Sequence, residues 1–294
     1  MSIQYVTGRQ NTTFVPTNKQ DIINNVETVL LAAGWTTISG HATTNLLMQS
    51  AATPQGYAIN VRLKDNAGTC VTFSLESTDG VLVGGNSTTV GGAFVNPGTS
   101  LTFRIVANKY QAFLWTSPST VARGFAAFGV PYVPSFLTGV TTRIGWMMGN
   151  TDTDSDTTVR MSFRTTLIAA LGTNTPSAQQ AMLNATLWTN NGATAQQGMI
   201  GLASQIAQVT GNTGMGYRWQ DNSALLIDPL ISWGDTANTV EGKFKGQLWD
   251  AVVATDAYTA DITASFDSHN WIVLTDNNVG STNYLRGSLL LVTS

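Results

Sequence analysis

Hydrophobic residues recur at helical spacing near the start of the chain. From about residue 18 to residue 33 they share one face, and these residues are Ile22, Ile23, Val26, Val29, Leu30 and Ala33. Thr17 or Asn18 can cap a helix there, and Gly34 can end it. Glu27 falls among the polar residues, which are predicted to face solvent. The pattern predicts one short amphipathic helix that lies on an apolar surface.

Beyond the helix the hydrophobic period changes to two, which is typical of half-buried strands. The predicted strands of the first half are short and rich in β-branched and aromatic residues, and they are 45–50, 57–64, 69–77, 100–107 and 109–115. Asn and Gly at 65–68 favour a hairpin over residues 57–77. Asn108, at a position where positive φ is tolerated, is predicted to form a second turn or a bulge. Residues 35–115 are therefore predicted to form an antiparallel meander with the helix on one face.

A segment rich in proline, glycine and aromatic residues, 118–139, interrupts this pattern. Proline donates no hydrogen bond to a strand ladder, so the segment is predicted not to be a central strand. It is also too aromatic for a free linker. We expect an ordered connection that packs over the sheet, close to a boundary between two domains, 1–135 and 136–294. A single composite domain is the alternative.

Short alternating segments return in the second half of the chain. The predicted strands there are 143–148, 157–167, 182–188, 198–206, 217–219, 224–233, 243–253, 262–266, 271–275 and 284–293. Residues 178–183 can also form a short helix. Many short strands with Gly and Asn turns favour a sandwich or barrel. The predicted fold class is mainly β, with antiparallel sandwich-like or barrel-like halves and one N-terminal helix packed on the first sheet.

The low charge of the chain narrows the classes of partner. Charged residues make up 11% of the 294 residues, against roughly 25% in typical globular chains. Fourteen basic and 17 acidic residues provide no basic surface for nucleic acid. No apolar run approaches the roughly 18 residues of a membrane helix, and the N-terminus lacks the order of a signal peptide. We expect a protein made in the cytoplasm, with neither nucleic acid nor membrane as its partner.

One acidic cluster is a candidate metal site. Asp152, Asp154 and Asp156 stand at alternate positions, and three such carboxylates can converge on Ca²⁺ if the backbone curls around it. An EF-hand loop would need Gly at its sixth position and Glu at its twelfth, where this chain has Thr157 and Phe163. A polar turn is the main prediction for this cluster, and a weak calcium site is the alternative.

The histidines and the glycine-rich stretch provide no complete catalytic motif. His41 and His269 are the two histidines, and both are predicted to lie in surface turns. Asp267 and Ser268 precede His269, but neighbours on a strand point to opposite faces and cannot form a relay. A His–carboxylate–serine site built from distant residues is the remaining alternative. Residues 84–92 lack the lysine of a phosphate loop and are predicted to form a loop tip.

Three further residue types are assigned to packing or to solvent. Cys70, the single cysteine, lies in an alternating run and is predicted to be a packed thiol. Nothing places two of Glu27, Glu76 and Glu241 at the fixed separation that glycoside hydrolysis needs. The tryptophans are scattered among the strands and are predicted to be core residues: Trp35, Trp115, Trp146, Trp188, Trp219, Trp233, Trp249 and Trp271.

Short motifs occur in a recognisable order along most of the chain. They are Ala-Gly-Trp at 33–35, ANKYQAFL at 107–114, FAAFGVPY at 125–132, GKFKGQLW at 242–249, NWIVL at 270–274 and RGSLLL at 286–291. This order resembles virion structural proteins of tailed bacteriophages, particularly tail and baseplate components. The resemblance implies a subunit without catalytic residues or cofactor, located in the virion and present there in several copies. A head decoration or neck protein, and a receptor-binding or glycan-degrading tail module, are the alternatives.

The resemblance also implies that the chain works through contacts with copies of itself and with other virion proteins. Extensive subunit interfaces are depleted in charge and enriched in aromatic residues. The loop at 84–92 is one candidate contact element. The aromatic segment after the meander provides the others, which are Phe125, Phe128, Tyr132, Phe136 and Leu137.

Overall fold

The computed structural model describes much of the first half of the chain and shorter parts of the second. The described residues are 3–56, 58–65, 71–76, 90–92, 102–117, 125–133, 144–149, 183–189, 196–201, 226–233, 246–254, 263–275 and 288–294. Within these ranges the chain forms one α-helix and 19 strands, and the strand pairs are antiparallel. The prediction of a mainly β, antiparallel fold with one N-terminal helix is therefore confirmed.

The helix, α1 (Lys19–Ala32), agrees with its prediction at both ends. Asn18 is the N-cap, and its Oδ1 accepts a hydrogen bond from the Asp21 amide at 2.9 Å. This bond satisfies one of the amides that have no partner within the first helical turn. Gly34 has a φ of 98°, which ends the helix in the left-handed region that glycine favours. The predicted apolar face is buried, with Ile22, Ile23, Val26 and Leu30 at 0% exposure.

Sheet I has nine strands. In spatial order they are β1 (Gln10–Phe14), β7 (Thr102–Asn108), β8 (Gln111–Ser117), β9 (Phe125–Gly129), β10 (Ile144–Gly149), β11 (Leu183–Thr189), β12 (Gln196–Gly201), β14 (Leu230–Trp233) and β15 (Gly246–Gln247). The prediction that residues 118–139 contain no central strand is wrong for 125–129, because β9 lies between β8 and β10. The prolines flank β9 rather than interrupt it. Gly129 allows close approach, since a Cβ there would lie 2.5 Å from the Cβ of Gln111.

Sheet II has five strands formed by the first third of the chain. In spatial order they are β2 (Thr36–Ser39), β3 (Asn45–Gln49), β4 (Asn60–Asp65), β5 (Val71–Glu76) and β6 (Val90–Gly92). The register of β4 and β5, from Asn60 opposite Glu76 to Asp65 opposite Val71, confirms the predicted hairpin. The last three residues of the predicted loop at 84–92 form β6, which pairs with β5.

Sheet III contains the C-terminal residues. In spatial order its strands are β13 (Leu226–Ile227), β16 (Ala251–Ala254), β19 (Ser288–Val292), β18 (His269–Thr275) and β17 (Thr263–Phe266). One predicted strand, 243–253, is divided between two sheets, because β15 belongs to sheet I and β16 to sheet III. Asp250 lies in the turn between them with a φ of 49°. The predicted strands at 157–167 and 217–219 lie outside the described residues.

Sheet I is buried on both faces near its β7–β9 end. One face shares a core with α1 and sheet II, which contributes Met48, Val61 and Phe73, while Phe103 and Phe128 come from sheet I. The opposite face carries side chains of 0–6% exposure, which include Val106, Phe113 and Trp146. Leu291 and Val292 of sheet III line a small cavity together with Val106 and Phe113. The result is a layered, sandwich-like arrangement.

The tryptophans that the structure describes are core residues, as predicted. Those with described side chains are at most 6% exposed, and they are Trp35, Trp115, Trp146, Trp249 and Trp271. Sheet I also joins strands from both sides of residue 135, since β9 pairs with β10. The division into domains 1–135 and 136–294 stays a prediction.

Candidate functional site: the Asp250 cluster, the N-terminal arm and the strand edges

A buried carboxylate joins the N-terminal residues of the chain to sheet I. Asp250 is 3% exposed. Its Oδ1 accepts a hydrogen bond from the Val6 amide at 2.7 Å and lies 3.3 Å from Nη1 of Arg9. Its Oδ2 accepts one from Nδ2 of Asn108 at 2.9 Å. Val6, Arg9, Asn108 and Asp250 are called the Asp250 cluster below. Both carboxylate oxygens are thus hydrogen-bonded by N–H donors.

Burial and hydrogen bonding act in opposite directions on this carboxyl group. Burial raises the pKa of Asp250 to about 6, while the hydrogen bonds from Asn108 and the Val6 amide, and the charge of Arg9, lower it. Removing a carboxylate from water disfavours its charged form, and donors aimed at it favour that form. Burial is the larger effect here. The group is therefore ionised at pH 7 and takes up a proton near pH 6.

Asn108 connects Asp250 to a hairpin turn. Asn108 is opposite Gln111 at the end of the β7–β8 hairpin, and its Oδ1 accepts bonds from the amides of Tyr110 at 2.8 Å and Gln111 at 3.0 Å. Its side chain therefore bonds its own turn, as Asn commonly does. Asn108 is not among the described residues with positive φ. The turn was predicted correctly, but side-chain hydrogen bonding is its basis.

The segment before Asp250 is held by the same hairpin. Nε2 of Gln111 donates to the carbonyl of Trp249, whose amide donates to Oε1 of Gln111 at 3.2 Å. The indole N–H of Trp249 donates to the carbonyl of Val130 at 3.0 Å, and its ring stacks on Tyr110 at 4.3 Å. These contacts fix the turn that carries Asp250, so its carboxylate has a defined position.

A cavity of about 10 Å³ lies beside the cluster and is lined by Arg9, Asn108, Gln111 and Asp250 among others. This volume corresponds to about one water molecule. Nε of Arg9 is buried and makes no hydrogen bond within the described part of the chain.

Residues 3–8, called the arm below, lie along sheet III. The Asp250 amide donates to the carbonyl of Gln4 at 2.9 Å, so residue 250 holds the arm through both its main chain and its side chain. Ile3 and Tyr5 pack against an apolar cluster on sheet III. The members of that cluster, called the arm groove, are Val252, Trp271, Val273, Leu290 and Val292. Val6 is 4% exposed and belongs to the main core.

Tyr5 also contacts the hairpin that joins β17 and β18. Its ring stacks on His269 at 3.9 Å, with 4° between the ring planes, and its hydroxyl donates to Asp267. Burial, together with the bond to Asp267 and its negative charge, raises the pKa of Tyr5. Asp267 and Ser268 both have positive φ, at 51° and 59°. They form a tight turn rather than part of a strand, and they hold Tyr5 instead of forming a relay with His269.

A second buried carboxylate, Glu27, lies on α1. It is 3% exposed, so the prediction that it faces solvent is wrong. Its Oε1 accepts a bond from the Thr37 hydroxyl at 2.7 Å and lies 2.9 Å from Nδ1 of His41. Its Oε2 accepts a bond from the Ala42 amide at 3.4 Å. The turn after β2 covers this part of the helix, which helical periodicity does not reveal. Glu27, Thr37, His41 and Ala42 are called the Glu27 cluster below.

The pKa of Glu27 moves in the direction opposite to that of Asp250. Burial raises it, but the hydrogen bonds from His41, Thr37 and the Ala42 amide together hold the pKa below its ordinary value. The His41 side chain is 76% exposed, which agrees with its predicted place in a surface turn.

The structure corrects the set of predicted contact residues. Phe128 is 1% exposed and packs on Trp35 and Phe73, at centroid distances of 5.6 and 5.8 Å. It belongs to the core of this chain, so its side chain is not available as a contact surface. Tyr132 is half-buried, and its ring centroid lies 4.9 Å from that of Trp249 in an edge-to-face arrangement. Phe125 begins β9.

Several predicted residues lie outside the described ranges. They are Phe136, Leu137, Cys70, Glu241, the loop residues 84–89 and the acidic cluster Asp152, Asp154 and Asp156. In the part of the chain that is described, no three His, Cys, Asp or Glu side chains are close enough to hold a metal ion. None of the described helices has the length and hydropathy needed to cross a bilayer.

Two strands near the N-terminus lie at sheet edges. β1 is the first strand of sheet I and pairs with β7 in a regular register over all five of its residues. Asn11, Thr12 and Thr13 are exposed. β2 is the first strand of sheet II, and its register shifts between Thr37 and Ser39. Three large apolar residues in or between α1 and these two strands are exposed. They are Val15 after β1, Leu31 in α1 and Ile38 in β2, with exposed fractions of 57%, 43% and 50%.

Sequence comparison assigns the chain to no known group. No protein-family model matches it, and no curated protein matches it. The resemblance to phage virion proteins stays a prediction. Sequence reasoning also missed the Asp250 cluster. The available signal was Asp250, the single acidic residue of the predicted strand 243–253, which stands between Leu248-Trp249 and the apolar run 251–253, where a charged side chain needs a buried partner.

Proposed function

We propose that this protein is a structural subunit of a tailed-bacteriophage virion, in the tail or baseplate, and that it acts through contacts with copies of itself and with other virion proteins. The observation that carries the proposal is the edge strand β1. An edge strand presents main-chain N–H and C=O groups to a further strand. The outer side of β1 pairs with no other strand of the described chain.

The sequence of β1 lacks the usual protection of an exposed edge. Soluble proteins block such edges with charged residues, proline or bulges. β1 is Gln-Asn-Thr-Thr-Phe, which has no charge and no proline, and its register contains no bulge. β2 differs, because its register is shifted next to Ile38. The contrast supports β1 as the edge on which another strand can add.

The low charge of the whole chain supports the same proposal. Charged residues make up 11% of the sequence, so neighbouring copies repel each other weakly. Close contact between large subunits also requires surfaces that lose water at low cost, and isolated charges are the most expensive groups to desolvate. An uncharged edge strand and a charge-poor surface therefore act together in favour of assembly.

The first experiment locates the protein. Purified virions are analysed by mass spectrometry and by electron microscopy with a labelled antibody. We expect several copies per particle at the tail or baseplate. Label at the head or the neck supports the decoration or neck alternative, and absence from purified particles contradicts the proposal.

The second experiment tests the edge itself. Thr12→Lys places a charge at the centre of β1, and Thr28→Lys places the same charge on the exposed face of α1 as a matched control. We expect Thr12→Lys to weaken self-association about ten-fold or more, as one charge at a strand-pairing edge should cost at least 1.4 kcal/mol. Thr28→Lys should leave it unchanged. Light scattering after size-exclusion chromatography measures both, and equal behaviour would exclude β1 as the contact.

The glycan-binding alternative receives no support from the described tryptophans. A glycan groove requires exposed aromatic rings beside a pair of carboxylates. Trp35, Trp115, Trp146, Trp249 and Trp271 are all buried. Incubation with host surface glycans, followed by measurement of chain length, tests this alternative directly.

A further inference from the structure

We propose that the arm groove of sheet III is an exchangeable docking site, which in an assembled particle binds the arm of a second copy of this chain. The inference rests on the proposed structural role. The site consists of the apolar cluster under Ile3 and Tyr5 together with Asp250, which bonds the main chain of the arm.

The occupant is defined by the arm that lies there. Residue 250 accepts a hydrogen bond from the Val6 amide and donates one to the Gln4 carbonyl, so it pairs with an extended main chain. Side chains at alternate positions, Ile3 and Tyr5, pack on the groove. An extended segment with apolar or aromatic residues at alternate positions matches these contacts, and the same segment of another copy matches them equally.

The contacts of the arm are separated from the rest of the N-terminal region by a hinge. Gly8 has a φ of 77°, and a Cβ there would meet no atom within 4 Å. Glycine adopts several backbone conformations at similar energetic cost, so the chain can change direction at Gly8. Immediately after it, β1 begins at Gln10 and belongs to a different sheet. The partners of the arm lie far along the chain, since Val6 and Asp250 are 244 positions apart and Tyr5 and Asp267 are 262 positions apart.

Arg9 is the contact that favours docking within one chain. Its Nη1 donates to the Val6 carbonyl at 2.6 Å and also lies 3.3 Å from Asp250, so it spans the hinge and holds the arm in a bent form. Exchange of identical segments between copies has a low energetic cost, because both forms make the same contacts. Only the hinge contacts differ between the forms, and Arg9 provides two of them.

Concentration decides between the two forms. A short flexible tether gives the chain's own arm an effective concentration of about millimolar. Dilute protein therefore keeps its own arm docked. Copies held side by side in a particle reach comparable local concentrations, and exchange then links them without any new type of contact.

The test uses the full-length chain and a fluorescent peptide of residues 1–10. In the double variant Ile3→Ser, Tyr5→Ala, the chain's own arm is weakened and the groove is unchanged. We expect the peptide to bind this variant about ten-fold or more tightly than it binds wild type, measured by anisotropy, since the loss of two partly buried side chains that pack on the groove exceeds about 1.4 kcal/mol. A peptide with the same two substitutions is the matched control and should not bind.

Three results would overturn the inference. They are equal binding to wild type and variant, no binding to the variant, and binding that survives the addition of Asp250→Ala. A second measurement uses the wild-type chain, so its result does not depend on whether the double variant folds. In a concentrated mixture of isotope-labelled and unlabelled chains, we expect intermolecular NOEs between Tyr5 and His269, stronger in Arg9→Ala. The absence of these NOEs in both proteins contradicts exchange. The proposed function is tested separately, by the location of the protein in the virion.

Discussion

Glu27 and Asp250 are both 3% exposed, yet their pKa values move in opposite directions. Glu27 lies beneath a surface turn and contacts a histidine whose side chain is 76% exposed. Asp250 lies between sheets, where its donors are a main-chain amide, a buried amide side chain and one arginine. An equal exposed fraction therefore does not give two carboxyl groups the same charge state. Asp250 lies deep between sheets, where desolvation outweighs its hydrogen bonds, whereas Glu27 lies just beneath a surface turn, where its hydrogen bonds outweigh desolvation.

The largest expected effect is the loss of the Asp250 carboxylate. Asp250→Ala leaves the Val6 amide, the Asn108 amide group and Arg9 without their acceptor. It also places alanine, whose side chain forms no hydrogen bond, at a φ of 49°. Removing one member of a buried charged network costs about 3–5 kcal/mol. We expect the free energy of unfolding in urea to fall by this amount.

Asp250→Asn is the matched control for that substitution. Asn tolerates positive φ and retains one acceptor for the Val6 amide, but its amino group faces that of Asn108. We expect a smaller loss than with Asp250→Ala. Equal losses would mean that the carboxylate contacts contribute little and that the backbone conformation dominates.

The next effect in size is a pH dependence of opposite sign at the two clusters. The pKa of Asp250 is about 6 in the folded chain, against an ordinary value of 3.8. A raised folded pKa gives stability that is fully present below about pH 4 and is lost as the pH rises through 6. The difference of about two pKa units corresponds to about 3 kcal/mol.

The measurement compares the unfolding free energy of wild type with that of Asp250→Asn, at about pH 4.5 and about pH 7.5. We expect wild type to gain stability relative to the variant at the lower pH by about 2–3 kcal/mol. A constant difference between the two proteins would show that hydrogen bonding fully offsets desolvation at Asp250, and a relative loss of stability at the lower pH would show that Asp250 behaves as Glu27 does.

The smallest effect concerns Glu27. Glu27→Gln keeps an acceptor for Thr37 but removes the charge beside His41, and we expect a loss of about 1–2 kcal/mol at neutral pH. Because the folded pKa of Glu27 is lowered, its stabilisation is present above its ordinary value of 4.5 and is lost as the pH falls below it. Unfolding in urea between about pH 3 and pH 7 measures the loss.

His41→Ala is the control for this cluster. The histidine is exposed, so its removal should cost less than the change at Glu27, which is buried. A larger loss with His41→Ala than with Glu27→Gln would mean that His41, and not the buried carboxylate, holds the turn after β2 against the helix.

The local structure of this protein follows from residues that are close together along the chain. The helix, its Asn18 cap and its Gly34 end follow from residues within one or two turns of each other. The β4–β5 hairpin and the turn at Asn108 follow from strand alternation and short-range turn chemistry. These features depend on contacts between near neighbours, which periodicity and residue type report directly.

Tertiary structure alone decided the central position of β9, the burial of Glu27 and the whole Asp250 cluster. Val6 and Asn108 stand 244 and 142 positions from Asp250, and no local pattern records such pairs. Periodicity shows which side of an element is apolar, but it does not show what covers that side. The partner of a lone carboxylate is selected by strand pairing across the whole chain, because that pairing determines which distant donors can reach it.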